Sequence, residues 1–457
     1  MTLQSPRPGE TIYHALRRLG VFVDAPCGGV GKCGKCTVIA DGKAVLACRT
    51  AARAGMRVEL PDASADSLIA KSSSAQHGKC HTAVIDLGTT TITAALIDES
   101  GAILARTTEM NAQRVFGADV LSRLQAAVSG ELAALRDSVR AQIGRMCREI
   151  LGEQRVKKSV VVGNTAMLHL LFGADCSGLG RYPYQPAFLE AREERGSFFG
   201  WDWTKMVNTP PCLHAFCGAD ITAGLLTLAD APRPYLLADL GTNAELALCT
   251  DAGLFVTSAA AGPVFEGAGI SCGMPALPGA VCGFSILGAR TKIVAIAGSK
   301  PCGICAGGLV DVLAELRRTY QLRADGSLAQ AYQVAAGITI TQADVRAFQL
   351  AKAAVAAGVE LLCAHADIDP RELKMTALSG SLGSALSLAN TMRLGIFGRA
   401  IPQIALGNSA LAGGILYALL PKAVQNADKI AQAGEYIDLS LVTNFQDSLL
   451  KNMTFSS

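Results

Sequence analysis

A marked excess of either charge is missing from this chain: 41 Lys and Arg stand against 38 Asp and Glu in 457 residues, leaving a formal net charge of +3. No block of like charges reads as a nucleic-acid tail or a polybasic membrane anchor, so neither nucleic acid nor a membrane surface is an expected partner. Long apolar runs are also absent. RPYLLADLGTNAELALC is broken by Asp239, Asn243 and Glu245, short of the roughly 20 residues a spanning helix needs. The amino-terminal MTLQSPRPGETIYHALRR has no apolar core followed by a small-residue cleavage site, so no secretory signal is expected and the protein is predicted to be soluble and cytoplasmic. Aromatic residues are scarce at 5%, whereas half the chain is hydrophobic and 47 residues are glycine. That balance excludes extended disorder and suits an α/β protein of several domains with closely packed helices.

Cysteine is what the chain has in quantity. There are 15, and the first four fall in a Cys27-x5-Cys33-x2-Cys36-x11-Cys48 pattern. In an unsecreted chain such usage points to thiol or metal chemistry rather than a disulfide framework. Three thiolates from one loop and a fourth from a distant strand is the plant-type ferredoxin solution for a [2Fe-2S] cluster. The five-residue first gap, against four in the plant pattern, matches the adrenodoxin-like variant. Gly28, Gly29, Gly31 and Gly34 let the loop take positive φ and bring N–H groups toward the sulfides, and this loop holds a single C-x2-C pair with no second one near it, which argues against structural zinc. ETIYHALRRLG predicts a short amphipathic helix, KCTVIADGKAVLACRT two strands around an Asp41-Gly42 turn, and MRVELP a closing strand. Together they predict a small β-grasp domain over residues 1–61.

Residues 62–80, DASADSLIAKSSSAQHGKC, predict a flexible tether, and Cys80 at its end reads as an ordinary thiol. Beyond it, HTAVIDLGTTTITAALIDESGAILAR predicts strand, tight turn, strand and a hairpin turn at Glu99-Ser100-Gly101. YLLADLGTNAELALCTDAGLFVTS repeats that pattern, with Asp86, Gly88 and Thr89 answering to Asp239, Gly241 and Thr242. Each turn has the chemistry of a phosphate loop. Glycine removes the Cβ that would block a phosphate, backbone N–H groups make an anion nest, and Thr90 or Asn243 adds a donor. An Asp at the strand end is placed to hold Mg²⁺ through water. Two copies predict two lobes, 81–234 and 235–457, with a nucleotide cleft between them.

KKSVVVGNTAMLHLLFG predicts a buried strand ending at Gly163, with Asn164 capping the next helix. LKMTALSGSLGSAL predicts a strand running into a nucleoside loop of Gly380, Ser381 and Gly383, and LGNSALAGGILYALL a helix whose small residues suit close contact between lobes. Glu245, Asp220 and Glu266 are candidates for orienting water or sensing a γ-phosphate, with a helix cap or hinge ion pair as the equal alternative. Cys302 and Cys305 read as incidental thiols, and His169 and His214 as structural.

The cluster loop, DLGTTT, VVGNTAMLHLL, GADITAG, DLGTNAELAL, GPVFEGAGISCGM, ADVRAFQLAKAAVAAG, SGSLGSALSLANTMRLGIF and GNSALAGG together resemble the reductive activators of corrinoid proteins. The likeness extends over nearly the whole chain. It implies a ferredoxin-like [2Fe-2S] domain, a linker, and a duplicated ribonuclease H-like ATPase of the acetate and sugar kinase, Hsp70 and actin fold. It also implies an activity, the ATP-dependent reduction of an inactive Co(II) corrinoid on a partner methyl-transfer protein to Co(I). The implied cofactors are the [2Fe-2S] cluster, ATP and Mg²⁺, and the implied electron source is a low-potential donor such as a ferredoxin or flavoprotein. A homodimer is left open. The family's larger members carry an extra domain where this chain has only residues 62–80. Two other readings stand beside this one: a small-molecule kinase of the same fold with a fused redox sensor, and a ferredoxin electron carrier with a regulatory nucleotide-binding module.

Overall fold

The computed structural model describes residues 1–19, 21, 23, 25, 29, 31, 36–59, 80–288, 290–380, 386–397 and 402–455. The tether as far as residue 79 and most of the cysteine loop lie outside that set. The chain divides into two compact units, residues 1–218 with 418–420, and residues 219–417 with 421–457.

The first unit opens with a helix, Ile12–Arg18, started by the Thr11 side chain accepting from the His14 N–H. Ile12, Tyr13, Ala15 and Leu16 form its buried face, at the one-, three- and four-residue intervals that line up on one side of a helix. The partner is an antiparallel sheet in the order Lys43–Leu46, Thr37–Ala40, Val58–Glu59. The predicted turn sits between Ala40 and Lys43, with Asp41 at φ 48° and Gly42 at φ 80°. Two successive left-handed residues make the turn whose twist matches a tight hairpin. Leu3, Ile12, Leu16, Val38, Met56 and Val58 close the core.

The same unit holds a six-stranded sheet in the order Ile103–Met110, Thr91–Ile97, Thr82–Leu87, Val156–Gly163, Thr204–Thr209, Arg192–Arg195. Its first three members pair antiparallel, and Thr82–Leu87, Val156–Gly163 and Thr204–Thr209 run parallel. The central strand Thr82–Leu87 is buried except at Asp86, as expected of a strand covered on both faces. At the 98–101 turn the predicted residues are in place, and Asp98 is an addition: its Oδ1 accepts from the N–H groups of Ser100 and Ala102.

The second unit repeats the plan. Its sheet runs Gln403–Gly407, Met375–Ser379, Tyr235–Leu240, Ala244–Cys249, Leu254–Ala259, Gly434–Tyr436. In chain order within each sheet the sequence is third, second, first, fourth, fifth, with one further strand at an edge. That order, an antiparallel meander joined to parallel strands, is the ribonuclease H-like arrangement, present twice. The helix Gln342–His365 is long and apolar enough by composition to cross a membrane. Here Val345, Phe348, Ala351, Val355, Val359 and Leu362 are buried in the unit's own core, and Thr341 with Asp344 forms a reciprocal cap at its start.

Candidate functional site

Two of the four pattern cysteines are described, and the hairpin brings them together. Cys36 precedes the strand Thr37–Ala40, Cys48 follows Lys43–Leu46, and the pairing of Thr37 with Leu46 sets them side by side. Their Sγ atoms are 3.2 Å apart, and the Cys48 N–H points at the Cys36 sulfur at 3.5 Å. Neither is in a disulfide; Cys36 is buried and Cys48 half-buried. Two thiols converging at this distance without a disulfide fit ligands of one inorganic centre. Cys27 and Cys33 lie outside the described residues, as do Gly28 and Gly34. Gly29 and Gly31 have φ of 83° and 81°. A Cβ on Gly29 would stand 2.4 Å from the Tyr13 ring, so this glycine also makes room for the helix.

In the first unit Asp86 stands one residue before the end of the strand Thr82–Leu87, and the turn after it is tied down by two asparagines. Asn111 Nδ2 donates to the Gly88 carbonyl at 2.9 Å, and Asn164 Nδ2 donates to Thr89 Oγ1 at 3.0 Å. Asn164 also caps its helix by accepting from the Met167 N–H, so one side chain serves both the cap and the turn. A Cβ on Gly88 would lie 2.6 Å from the Thr91 carbonyl oxygen. The glycine is therefore demanded by the turn itself, whatever binds there.

The second unit gathers carboxylates. Asp239, one residue before the end of Tyr235–Leu240, stands directly opposite Glu245 in the antiparallel pair. Like charges so placed repel. Asp220 lies in the first turn of the helix Ala219–Leu226, its Oδ1 accepting from the Ile221 N–H. Glu266 ends the short helix Pro263–Glu266, and its Oε1 accepts from the Thr242 N–H at 3.1 Å. Gly241 donates its N–H to the Asn243 carbonyl, and a Cβ there would lie 3.3 Å from Glu266 Oε1. Burial pushes Asp239 up to about 6, the Glu266 charge adds to the rise, and the Ser379 hydroxyl opposes it. Glu245 is raised well above the ordinary carboxylate range, first by burial and then by Asp220 and Asp239. Such a set is relieved by a proton or a cation. Among the described residues no three His, Cys, Asp or Glu side chains are close enough to ligate one ion directly.

The two turns differ by one residue. Asp86 faces Thr93 across its hairpin, seven positions on, whereas Asp239 faces Glu245, six positions on. Gly380, at φ 86°, follows Ser379, and a Cβ on it would stand 2.5 Å from Asp239 Oδ1. Ser381 and Gly383 lie outside the described residues. Missed from sequence were Asn111, Ser379 and Ser409, whose parts depend on pairings across 23, 140 and 30 residues.

The remaining candidates fall elsewhere. Cys302 is exposed and Cys305 buried against the Val281 carbonyl. His169 is buried, its Nδ1 donating to the Thr165 carbonyl at 2.7 Å, its Nε2 accepting from the Ala187 N–H, and its ring stacked on Phe188. A cavity of about 620 Å³ lined by Arg140, Arg145, Arg148, Trp201 and Trp203 contains none of these site residues, and its arginines are engaged by protein partners such as Glu109 and Asp202.

Family models match three consecutive regions: a 2Fe-2S iron-sulfur cluster binding domain over residues 1–53, the RACo middle region over 81–229, and the C-terminal, ASKHA domain of RACo over 233–457. The middle region thus falls on the first six-stranded sheet. The corrinoid activation enzyme RamQ of Eubacterium limosum is 29% identical over 415 residues, covering 81% of this chain and 69% of the relative. The [Co(II) methylated amine-specific corrinoid protein] reductase of Methanosarcina barkeri is 26% identical over 366 residues, covering 72% and 68%. A solved reductive activator for corrinoid, iron-sulfur protein superposes with a TM-score of 0.73 at 24% identity, over 99% of this chain and 96% of that one. With its iron–sulfur domain, middle region and ASKHA domain matched in that order, the chain belongs to the family of reductive activators of corrinoid proteins.

Proposed function

We propose that this protein is an ATP-dependent reductive activator that returns an inactive Co(II) corrinoid, carried by a partner methyl-transfer protein, to Co(I). One electron is added to cobalt per event, and it comes from a low-potential ferredoxin or flavoprotein by way of the N-terminal domain. The observation that carries the reading is the presence in one chain of a converging cysteine pair and carboxylate-lined strand ends, in a chain whose relatives are named for corrinoid activation and Co(II) corrinoid reduction. Cys27, Cys33, Cys36 and Cys48 would hold the [2Fe-2S] cluster, which when bound supplies a one-electron relay.

Asp86, Gly88, Thr89, Thr90, Asp239, Gly241, Thr242 and Asn243 are assigned to the phosphates and Mg²⁺, and Gly380, Ser381 and Gly383 to the nucleoside. Asp220, Glu245 and Glu266 would order water about the cation, because carboxylates that repel one another are stabilised by a shared hydrated ion. The domain limits we adopt are 1–61, a tether at 62–80, and lobes at 81–234 and 235–457. The work would take place in the reducing cytoplasm, where free thiols persist. The test is anaerobic. With the cognate corrinoid protein, a low-potential donor and Mg²⁺, the Co(I) absorbance should grow only when ATP is added. Equal Co(I) yield without ATP would overturn the assignment.

A further inference from the structure

Asp239 is not held by its own strand alone. Ser379 is its register partner on the parallel strand Met375–Ser379, and Ser379 Oγ donates to Asp239 Oδ2 at 3.1 Å. Behind it, Ser409 Oγ lies 2.5 Å from Ser379 Oγ, and both serines are 1% exposed. A hydroxyl has one proton to give. Since Ser379 gives its proton to the carboxylate, it accepts from Ser409, and the three groups form a directed chain from Ser409 through Ser379 to Asp239. Hydroxyls this deeply buried are costly unless bonded, so their presence calls for a reason.

We propose that Ser379 and Ser409 are positioning residues for the cation held at Asp239. Tying back Oδ2 fixes the rotamer and leaves Oδ1 as the oxygen presented to the ion's water shell. Gly380 completes the arrangement, because any Cβ there would occupy the space beside Oδ1. Ser409 also starts the helix Ser409–Leu419 and lies against Gly224 of Ala219–Leu226, where a Cβ would come within 2.8 Å of its Oγ. The relay therefore packs against the helix that carries Asp220. Outer hydrogen bonds of this kind commonly tune ion affinity by about ten- to a hundredfold.

The proposal rests on Asp239 being a cation residue, and the experiment separates the two. ATP binding is titrated with Mg²⁺ in the full-length protein for wild type, Asp239→Asn, Ser379→Ala, Ser379→Thr and Ser409→Ala, alongside ATP binding in EDTA and thermal unfolding. Ser379→Ala and Ser409→Ala should raise the half-saturating Mg²⁺ concentration about tenfold with metal-free ATP binding unchanged, and Ser379→Thr, which keeps the hydroxyl, should restore it. Asp239→Asn should abolish the Mg²⁺ dependence. An Asp239→Asn variant that titrates like wild type overturns the cation reading itself. A normal Asp239→Asn loss with wild-type Mg²⁺ midpoints in both alanine variants overturns the relay alone. If Ser379→Ala does not fold, Ser409→Ala, which leaves the Ser379 hydroxyl in place, decides between the two results.

Discussion

Asp239 and Glu245 face one another across their strand pair, and two more carboxylates, Asp220 and Glu266, bear on Glu245. Replacing Asp239 by Asn should therefore have opposite effects on function and on stability. Mg²⁺-dependent ATP binding should be lost, with the visible absorbance of the cluster unchanged. Because the folded carboxyl titrates near 6 and an unfolded one near about 3.9, the folded protein holds the proton more tightly. Its metal-free form should gain stability as the pH falls from about 7 toward 5, with Glu245, whose carboxyl is raised by burial as well, contributing alongside Asp239, so Asp239→Asn should reduce that gain. Thermal unfolding in EDTA across this range checks the sign. Over the same interval Mg²⁺-dependent ATP binding should weaken, since proton and cation compete for one carboxylate. At the other centre, Cys36→Ala should bleach the reddish-brown colour expected of the anaerobic protein and leave ATP binding intact; full colour in that variant would remove Cys36 from the ligand set.

Elements differ in how much of them the sequence exposed. The hairpin at Asp41-Gly42 and the two Asp-x-Gly-Thr turns were legible because glycine and aspartate have few other reasons to recur at such spacing. The strand after Arg57 was expected from MRVELP and is regular only at Val58–Glu59 among the described residues. Ser379 and Ser409 were not legible at all, since ordinary serines acquire meaning only from a parallel register that no local pattern encodes. Glycine also has a reason the sequence did not expose: at Gly88 a neighbouring carbonyl excludes a side chain. Gly42→Ala meets open space but needs a left-handed alanine, so it should cost about 1–2 kcal/mol, read as earlier heat bleaching of the cluster. Gly413 tests packing between helices. A Cβ there would fall 1.8 Å from the Ala223 carbonyl oxygen, so Gly413→Val should lower stability by about 1–3 kcal/mol or more, seen in thermal unfolding of the whole chain.

For the molecule as a whole, ATP can shift an electron-transfer equilibrium only by binding its two states differently. Without a corrinoid partner, ATP should therefore barely move the cluster's reduction potential in a redox titration; a large shift would place the coupling inside this chain. The order of strands carries a separate consequence, one of timing. Tyr235–Leu240 completes its antiparallel hairpin with Ala244–Cys249 almost as soon as both are made, but its other neighbour is Met375–Ser379, 140 positions later at Asp239 and Ser379. At ordinary translation rates that gap is on the order of ten seconds, and Ser409 emerges later still. The nascent chain thus presents Asp239 opposite Glu245 long before the hydroxyls that orient it exist. The nucleotide half cannot be assembled by its first-made strands alone, and a chain stalled before residue 375 should carry the acidic hairpin as an unfinished, aggregation-exposed sheet edge.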